Sequence, residues 1–173
     1  ALLYAAVSND LQLVKFLFEN GAKVINSDYL HYYLWQHCAD VSILELMFQH
    51  GLNLTHKVQG NNVFELCLAN TESETRLVHV FRWLLSKKES KQLVSAKSKN
   101  PTLHSLFENS ASVSDDMYEN VKMLLEAGAD PNSLNADNET PLMVMTRSCQ
   151  FSKPVKTKKK KHIGVMIEEQ MAE

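Results

Sequence analysis

The chain has 173 residues, of which 45% are hydrophobic and 22% charged, which fits one folded domain or a short repeat array and argues against wholesale disorder. With only 5 Gly and 4 Pro, a turn-rich all-β fold is disfavoured. The net charge of -2 provides no overall field for holding a polyanion, so nucleic acid is not an expected partner of the domain as a whole.

Cysteine usage and hydropathy bear on the compartment. Cys38, Cys67 and Cys149 are widely spaced and odd in number, which does not fit a disulfide framework. We therefore expect a reducing, intracellular compartment, the cytoplasm, the nucleus or both. No apolar run reaches the roughly 18 residues of a membrane span, and no signal peptide is visible. Because the chain begins inside an apolar helical pattern, we expect a piece of a longer protein.

An apolar cluster recurs along the chain and marks a repeated helix. The copies are Phe16–Phe18, Leu46–Phe48, Trp83–Leu85, Met123–Leu125 and Val165–Ile167. In the first, second and fourth copies a glycine follows the cluster at Gly21, Gly51 and Gly128. Glycine adopts the left-handed conformation that closes a last helical turn, so these positions are predicted helix ends.

A second, shorter helical pattern precedes each cluster. Its predicted apolar anchors are spaced by 30, 32, 39 and 39 residues and are Leu2, Tyr32, Phe64, Leu103 and Leu142. Each unit is thus a short helix, a turn, a longer helix and an extended link. One such unit cannot bury its own apolar face, so neighbours must stack. The pattern predicts an all-α solenoid of five units, approximately 1–28, 29–60, 61–99, 100–138 and 139–173.

The segment Val121–Met145, VKMLLEAGADPNSLNADNETPLMVM, resembles the ankyrin-repeat family closely. Thr140 is placed to cap a helix that has Pro141 in its first turn, and Asn138 stands where the family usually has glycine. The first unit, LLYAAVSNDLQLVKFLFENGA, is similar to the family as well. The resemblance implies stacked antiparallel helix pairs joined by short hairpin-like links.

The sequence also departs from the family pattern. The link between Lys23 and Tyr32 is about three residues short, which predicts a stunted first hairpin. Unit three has Lys87 and Lys88 in place of the glycine stop. Insertions within units three, four and five, at 71–75, 110–115 and 150–161, map to one side of the stack, where either a non-standard edge or disordered loops are expected.

Catalytic and metal-binding arrangements are not expected. His37 and Cys38 are adjacent, and neighbouring helical residues point about 100° apart, so His37 is a poor base for that thiol. The sequence contains no CxxC or HxxxH pair that would bind a metal, and no glycine-rich phosphate-binding loop. Cys67 falls where the family has a buried alanine, which predicts a small core residue. The prediction is a non-enzyme without cofactor or metal.

The run Lys153–Lys161, KPVKTKKKK, is the sharpest local feature. Its basic patch comprises Lys156, Lys158, Lys159, Lys160 and Lys161. Three interpretations stay open: a solvated loop, an import signal bound by an importin, and a phosphate contact to nucleic acid or anionic lipid. No aromatic residue is interleaved among the lysines, so base stacking is not suggested.

The family resemblance implies that a partner meets the hairpin tips and the exposed side of the short helices. By alignment these candidate contacts are Tyr29, Asn100, Asp137 and Glu139 at tips, and His37, Cys38, Glu108, Asn109 and Arg147 on short helices. Tyr33 joins them as a polar-tipped aromatic residue of the kind common at binding hot spots. The alternative is that the aromatic residues of unit two fill the core beside the stunted hairpin. Tyr32 is expected in the core in either case.

The sequence predicts a protein-interaction module that binds a peptide or a folded partner through its concave face. Two alternatives remain. The chain is a substrate-recruiting arm of a larger enzyme or of a bacterial host-directed effector, by analogy with the family alone. The other alternative is a nuclear scaffold whose lysine run acts as its import signal.

Overall fold

The computed structural model describes residues 1–69, 74–94, 101–109 and 114–150, which hold helices and no strand. In chain order the helices are α1 (Leu2–Val7), α2 (Leu11–Glu19), α3 (Asp28–His37), α4 (Val41–Gln49), α5 (Val63–Leu68), α6 (Glu74–Ser86), α7 (Lys88–Val94), α8 (Thr102–Asn109), α9 (Asp115–Glu126) and α10 (Pro141–Gln150). An isolated bridge joins Val58 and Asn61. The predicted all-α class is confirmed for these residues.

The helices pack in two series. Helices α1, α3, α5, α8 and α10 contact one another in succession, and so do α2, α4, α6 and α9. Contacts between α1 and α2, α5 and α6, and α8 and α9 connect the two series. The apolar core runs continuously between them. In it the rings of Phe64 on α5 and Phe81 on α6 meet edge to face at 5.2 Å.

Polar side chains at the helix starts fix where the helices begin. The side chains of Asp10, Ser27, Asp40 and Ser114 each accept a hydrogen bond from a backbone N–H of the following first turn. Asn62 and Glu65 form a reciprocal capping box on α5. These bonds satisfy donors that have no partner inside the helix, so each cap sets a boundary that the sequence pattern only approximates.

Three helices end in the same way. Gly21, Gly51 and Gly128 have φ of +84°, +93° and +94°. The N–H after each glycine donates at 2.9 Å to the carbonyl five residues earlier, as in Ala22 to Leu17. The predicted glycine ends are therefore confirmed as left-handed caps. Asn138 has φ of 58°, as expected of an asparagine in place of glycine.

The structure corrects two expectations. Tyr32 is 44% exposed, whereas Leu30 and Leu34 are buried, because α3 packs against α1 and α5 with the side that bears Leu30 and Leu34, and Tyr32 lies about 200° around the helix from Leu30. Beyond Lys87, where the repeat pattern predicts an extended link, the chain forms helix α7, and the buried Ser90 hydroxyl donates to the Leu84 carbonyl.

Asparagine side chains connect successive links. Asn9 Oδ1 accepts from the N–H groups of Ala39 and Asp40, at 2.8 and 3.0 Å. Asn26 Nδ2 donates to the Gly51 carbonyl at 2.8 Å, and its Oδ1 accepts from the Asn53 N–H at 2.8 Å. Each side chain satisfies backbone groups about one unit further along the chain, so the spacing of units is held by polar contacts as well as by the core.

Several predicted features lie outside the described residues. They are Asn100, the basic patch Lys156 and Lys158–Lys161, the last apolar cluster at 165–167 and parts of the three insertions.

Candidate partner-binding surface

One side of α3 is an exposed stripe of mostly aromatic residues, which we name the α3 stripe. It comprises Asp28, Tyr29, Tyr32, Tyr33 and His37. Tyr29 is 67% and Tyr33 38% exposed. On the opposite side, Leu34 and Trp35 are buried in the core. An amphipathic helix normally shows polar residues to water, so this row of rings is the part of α3 that packing does not explain.

The rings of the α3 stripe contact one another. The centroids of Tyr29 and Tyr33 are 4.7 Å apart, and those of Tyr32 and Tyr33 are 5.2 Å apart in an edge-to-face arrangement. His37 stacks on Tyr33 at 6.3 Å. Such ring pairs restrain the side chains before any partner binds, which lowers the entropy cost of recognition. The structure thus brings together three predicted contacts: Tyr29, Tyr33 and His37.

A buried hydrogen-bond chain supports the stripe from below. The Trp35 indole N–H donates to His31 Nδ1 at 3.1 Å, and His31 Nε2 lies 3.0 Å from Asn26 Oδ1. Since Nδ1 accepts, Nε2 is the donor to the Asn26 oxygen, and the imidazole is neutral. The pKa of His31 is lowered to about 4. Burial is the largest cause, and the neighbouring His56 also contributes.

His56 extends this arrangement towards the surface. Its ring stacks on that of His31 with centroids 4.3 Å apart, and its Nε2 lies 2.8 Å from Asp28 Oδ1. The link that carries His56 is therefore attached to the start of α3. Asp28 keeps 68% of its side chain exposed at the edge of the stripe.

Arg76 on α6 joins the ends of two short helices. Its Nη1 donates to the carbonyl of Trp35 at 3.0 Å and contacts that of Cys38 at 3.4 Å, and its Nη2 donates to the Cys67 carbonyl at 3.0 Å. A cation at a helix carboxyl end is favoured by the helix dipole and satisfies carbonyls that lack helical partners. Arg76 therefore fixes the carboxyl end of the stripe against α5, a role that its sequence context does not indicate.

A second group of predicted residues meets near α10. Arg147 Nη2 lies 2.9 Å from Glu139 and 3.8 Å from Glu108. Asn109 bonds back to the Ser105 carbonyl, and Asp137 is exposed in the turn before α10. Arg147 is the one Lys or Arg of this group against three carboxylates, and ion pairs at an exposed surface contribute little stability. Glu108 and Asn109 of this group lie on α8, and helix α5 stands between α8 and α3 in the series.

The structure removes Cys38 from the predicted contacts. Cys38 is 1% exposed, because it follows α3 at the junction with α4. Cys67 is fully buried, as expected of a small core residue. Burial raises the pKa of both thiols to about 12, so neither is a thiolate nucleophile near neutral pH.

A separate groove of about 470 Å³ lies between α2, α4 and α6. Trp83 and Glu45 line it, and the indole N–H donates to the Glu45 carboxylate at 2.7 Å. Lys87 Nζ also lies 2.7 Å from that carboxylate and 5.0 Å from the centre of the Phe48 ring. The hydrogen bonds from Lys87 and Trp83 lower the pKa of Glu45. The groove's acidic group therefore already has its cation.

The basic residues are unevenly distributed along the chain. No Lys or Arg occurs between Lys23 and Lys57, the stretch that includes the α3 stripe.

Within the described ranges no helix has the length and apolar character needed to cross a membrane. No group of three or more metal-ligating side chains occurs in the same ranges.

Comparison with known proteins identified no family. No family model and no curated protein matches the chain. Among solved structures, the chain is similar to one from a complex of a predatory endopeptidase of Bdellovibrio bacteriovorus with an immunity protein. The match has 15% identity and a TM-score of 0.42, and covers 95% of this chain and 97% of the other. A similarity at this level supports no argument about fold or function.

Proposed function

We propose that the chain is an ankyrin-type protein-interaction module, not an enzyme, that binds a peptide or a folded partner through the α3 stripe. The observation that carries the proposal is the exposed, mutually contacting row of Tyr29, Tyr33 and His37. Aromatic side chains with polar tips supply large contact areas at low entropy cost, which is why they recur as binding hot spots.

Two features support the ankyrin-type assignment. The first helices of successive pairs contact one another in succession, and so do the second helices, as a stack of helix pairs requires. His104 on α8 also reaches the following link, where its Nε2 lies 2.8 Å from the Glu139 carbonyl oxygen. This hydrogen bond connects one unit to the next. The Asn26 contacts make a similar connection earlier in the chain.

An affinity pull-down with the domain tests the proposal. A Tyr33→Ala, His37→Ala double variant should capture its partners at least about tenfold less well, because hot-spot truncation costs more than 1 kcal/mol. The melting temperature should stay unchanged, since both side chains lie outside the core. Met143→Ala, an exposed change on α10, is the matched control. Equal capture by wild type and double variant, or a parallel loss of melting temperature, contradicts the proposal.

A nuclear role is the second candidate, favoured by the four consecutive lysines Lys158–Lys161. We propose an intracellular location in either case. Deletion of these lysines should abolish nuclear accumulation if an importin binds them. A salt titration separates the phosphate interpretation, because binding through n phosphates falls with a log–log slope of about -0.9n. Unchanged localisation together with a flat slope leaves a solvated loop.

A further inference from the structure

The geometry points to an arginine-bearing segment of a partner protein as the ligand of the α3 stripe. This inference rests on the proposed interaction function and adds the chemistry of the partner. It starts from the ring faces. Tyr29 and Tyr33 keep exposed area while their ring contacts hold them 4.7 Å apart. An aromatic face carries partial negative charge, and a guanidinium stacks on it over a broad flat area.

An exposed carboxylate lies at the start of the same helix. Asp28 precedes Tyr29 in the first turn of α3, and its side chain is 68% exposed. One of its oxygens contacts His56 Nε2 at 2.8 Å. A carboxylate has about four lone-pair positions, so the contact with His56 leaves acceptor capacity for a guanidinium N–H.

No Lys or Arg occurs in α3 or in the segments beside it, from 24 to 56, and the group that contacts Asp28 is His56. The series α1, α3, α5, α8 and α10 carries Asp28, Glu65 and Glu108 but one Lys or Arg, Arg147, which lies between Glu139 and Glu108. Arg76 reaches the stripe from below, where its guanidinium contacts the carbonyls at the carboxyl ends of α3 and α5. The α3 stripe is thus an aromatic surface of negative character that an incoming cation complements.

The same protein builds the complete arrangement elsewhere. Lys87 Nζ lies 5.0 and 5.3 Å from the ring centres of Phe48 and Trp83, and 2.7 Å from Glu45. There, two rings and a carboxylate enclose one cation of the same chain. The α3 stripe presents exposed rings and, at the start of the same helix, an exposed carboxylate, so a cation that complements them is expected from a partner.

An NMR titration with synthetic peptides tests the inference. The probes are an acetylated, amidated pentapeptide with two arginines separated by glycines, and the same peptide with citrulline, whose neutral side chain has the same shape. The arginine peptide should shift the ring signals of Tyr29 and Tyr33 and bind at least about fivefold more tightly than the citrulline peptide. Equal affinities, or shifts confined to other residues, overturn the inference.

Variants test which part of the stripe is responsible. Tyr29→Leu with Tyr33→Leu should lose the preference for arginine, whereas Tyr→Phe at both positions should keep it within about twofold because the ring faces remain. Phe16→Leu on α2, an exposed aromatic outside the stripe, is the control. A preference for arginine that survives the leucine changes overturns the inference.

The two proposals fail differently. If the pull-down depends on Tyr33 and His37 but excess arginine peptide does not compete, the partner chemistry is wrong and the interaction function stands. If the pull-down is indifferent to Tyr33 and His37, the proposed function fails, whatever the peptides do.

Discussion

His31 lies on a helix face that water does not reach, and both of its ring nitrogens have hydrogen-bond partners. Protonation puts a hydrogen on Nδ1, which then no longer accepts from Trp35. The ordinary pKa of 6.5 falls to about 4 in the folded protein. Between these values the unfolded chain binds the extra proton, so acid favours unfolding. We expect up to about 3 kcal/mol of unfolding free energy to be lost as the pH falls from 6.5 to 4.

Urea unfolding at several pH values measures this loss, and a variant isolates it. The glutamine side chain of His31→Gln cannot titrate, so the unfolding free energy of this variant should change less across the same pH window. The variant is expected to be less stable than wild type at neutral pH. The difference between wild type and variant removes contributions from carboxylates, which titrate in both proteins. Parallel curves for the two proteins would assign the acid sensitivity to other groups.

Arg76 is a second single residue with a large expected effect. Arg76→Met removes the donors that bind the carbonyls of Trp35 and Cys67, and should cost about 2–3 kcal/mol of unfolding free energy. Arg82→Met is the matched control, because Arg82 is an exposed residue on the same helix. It should stay within about 0.5 kcal/mol of wild type. Thermal unfolding followed by circular dichroism compares them, and equal effects would contradict the role of Arg76.

The glycine caps stabilise the helix ends through their left-handed conformation. Gly51 has φ of +93°, and no heavy atom lies within 4 Å of the place that a Cβ would occupy, so Gly51→Ala meets backbone strain and no clash. The strain should cost about 1–2 kcal/mol of unfolding free energy. Gly51→Asn should cost less, since Asn138 shows that asparagine adopts this conformation in the same chain. Chemical denaturation ranks the variants; alanine at least as stable as asparagine would contradict the cap.

Sequence patterns predict some elements of this fold and not others. Glycine ends are predictable because one residue type has one conformational reason to be there. Helix α7 is not, because KESKQLV follows Lys87, where the repeat pattern predicts an extended link. The core position predicted for Tyr32 is wrong because the stretch YLHYYLW has apolar residues on every side, so the period does not fix the register. Packing against α1 and α5 decides which side of α3 is buried.

At the scale of the whole molecule, repetition is the part of the fold that the sequence predicts best. The clusters and glycines predict helix pairs, and the described helices do contact one another in two series. The candidate site is predicted less completely. Tyr29, Tyr33 and His37 come together on α3, but the burial of Cys38 and the reach of Asn26 and Arg76 depend on partners 25 to 41 residues away, for which no local pattern exists.

The arrangement in series also predicts how the chain responds to shortening. If neighbours alone stabilise each unit, removing residues 1–27 takes away α1 and α2 and the faces they cover, but leaves the contacts of α5, α6, α8 and α9 unchanged. The shortened protein should keep the helical circular dichroism of its remaining residues and melt at a lower temperature. A single core shared by all units would unfold as a whole, because a chain with stability of about 5–15 kcal/mol does not survive the loss of two helices from such a core. Loss of all helical signal on deletion would therefore reject the stacked arrangement.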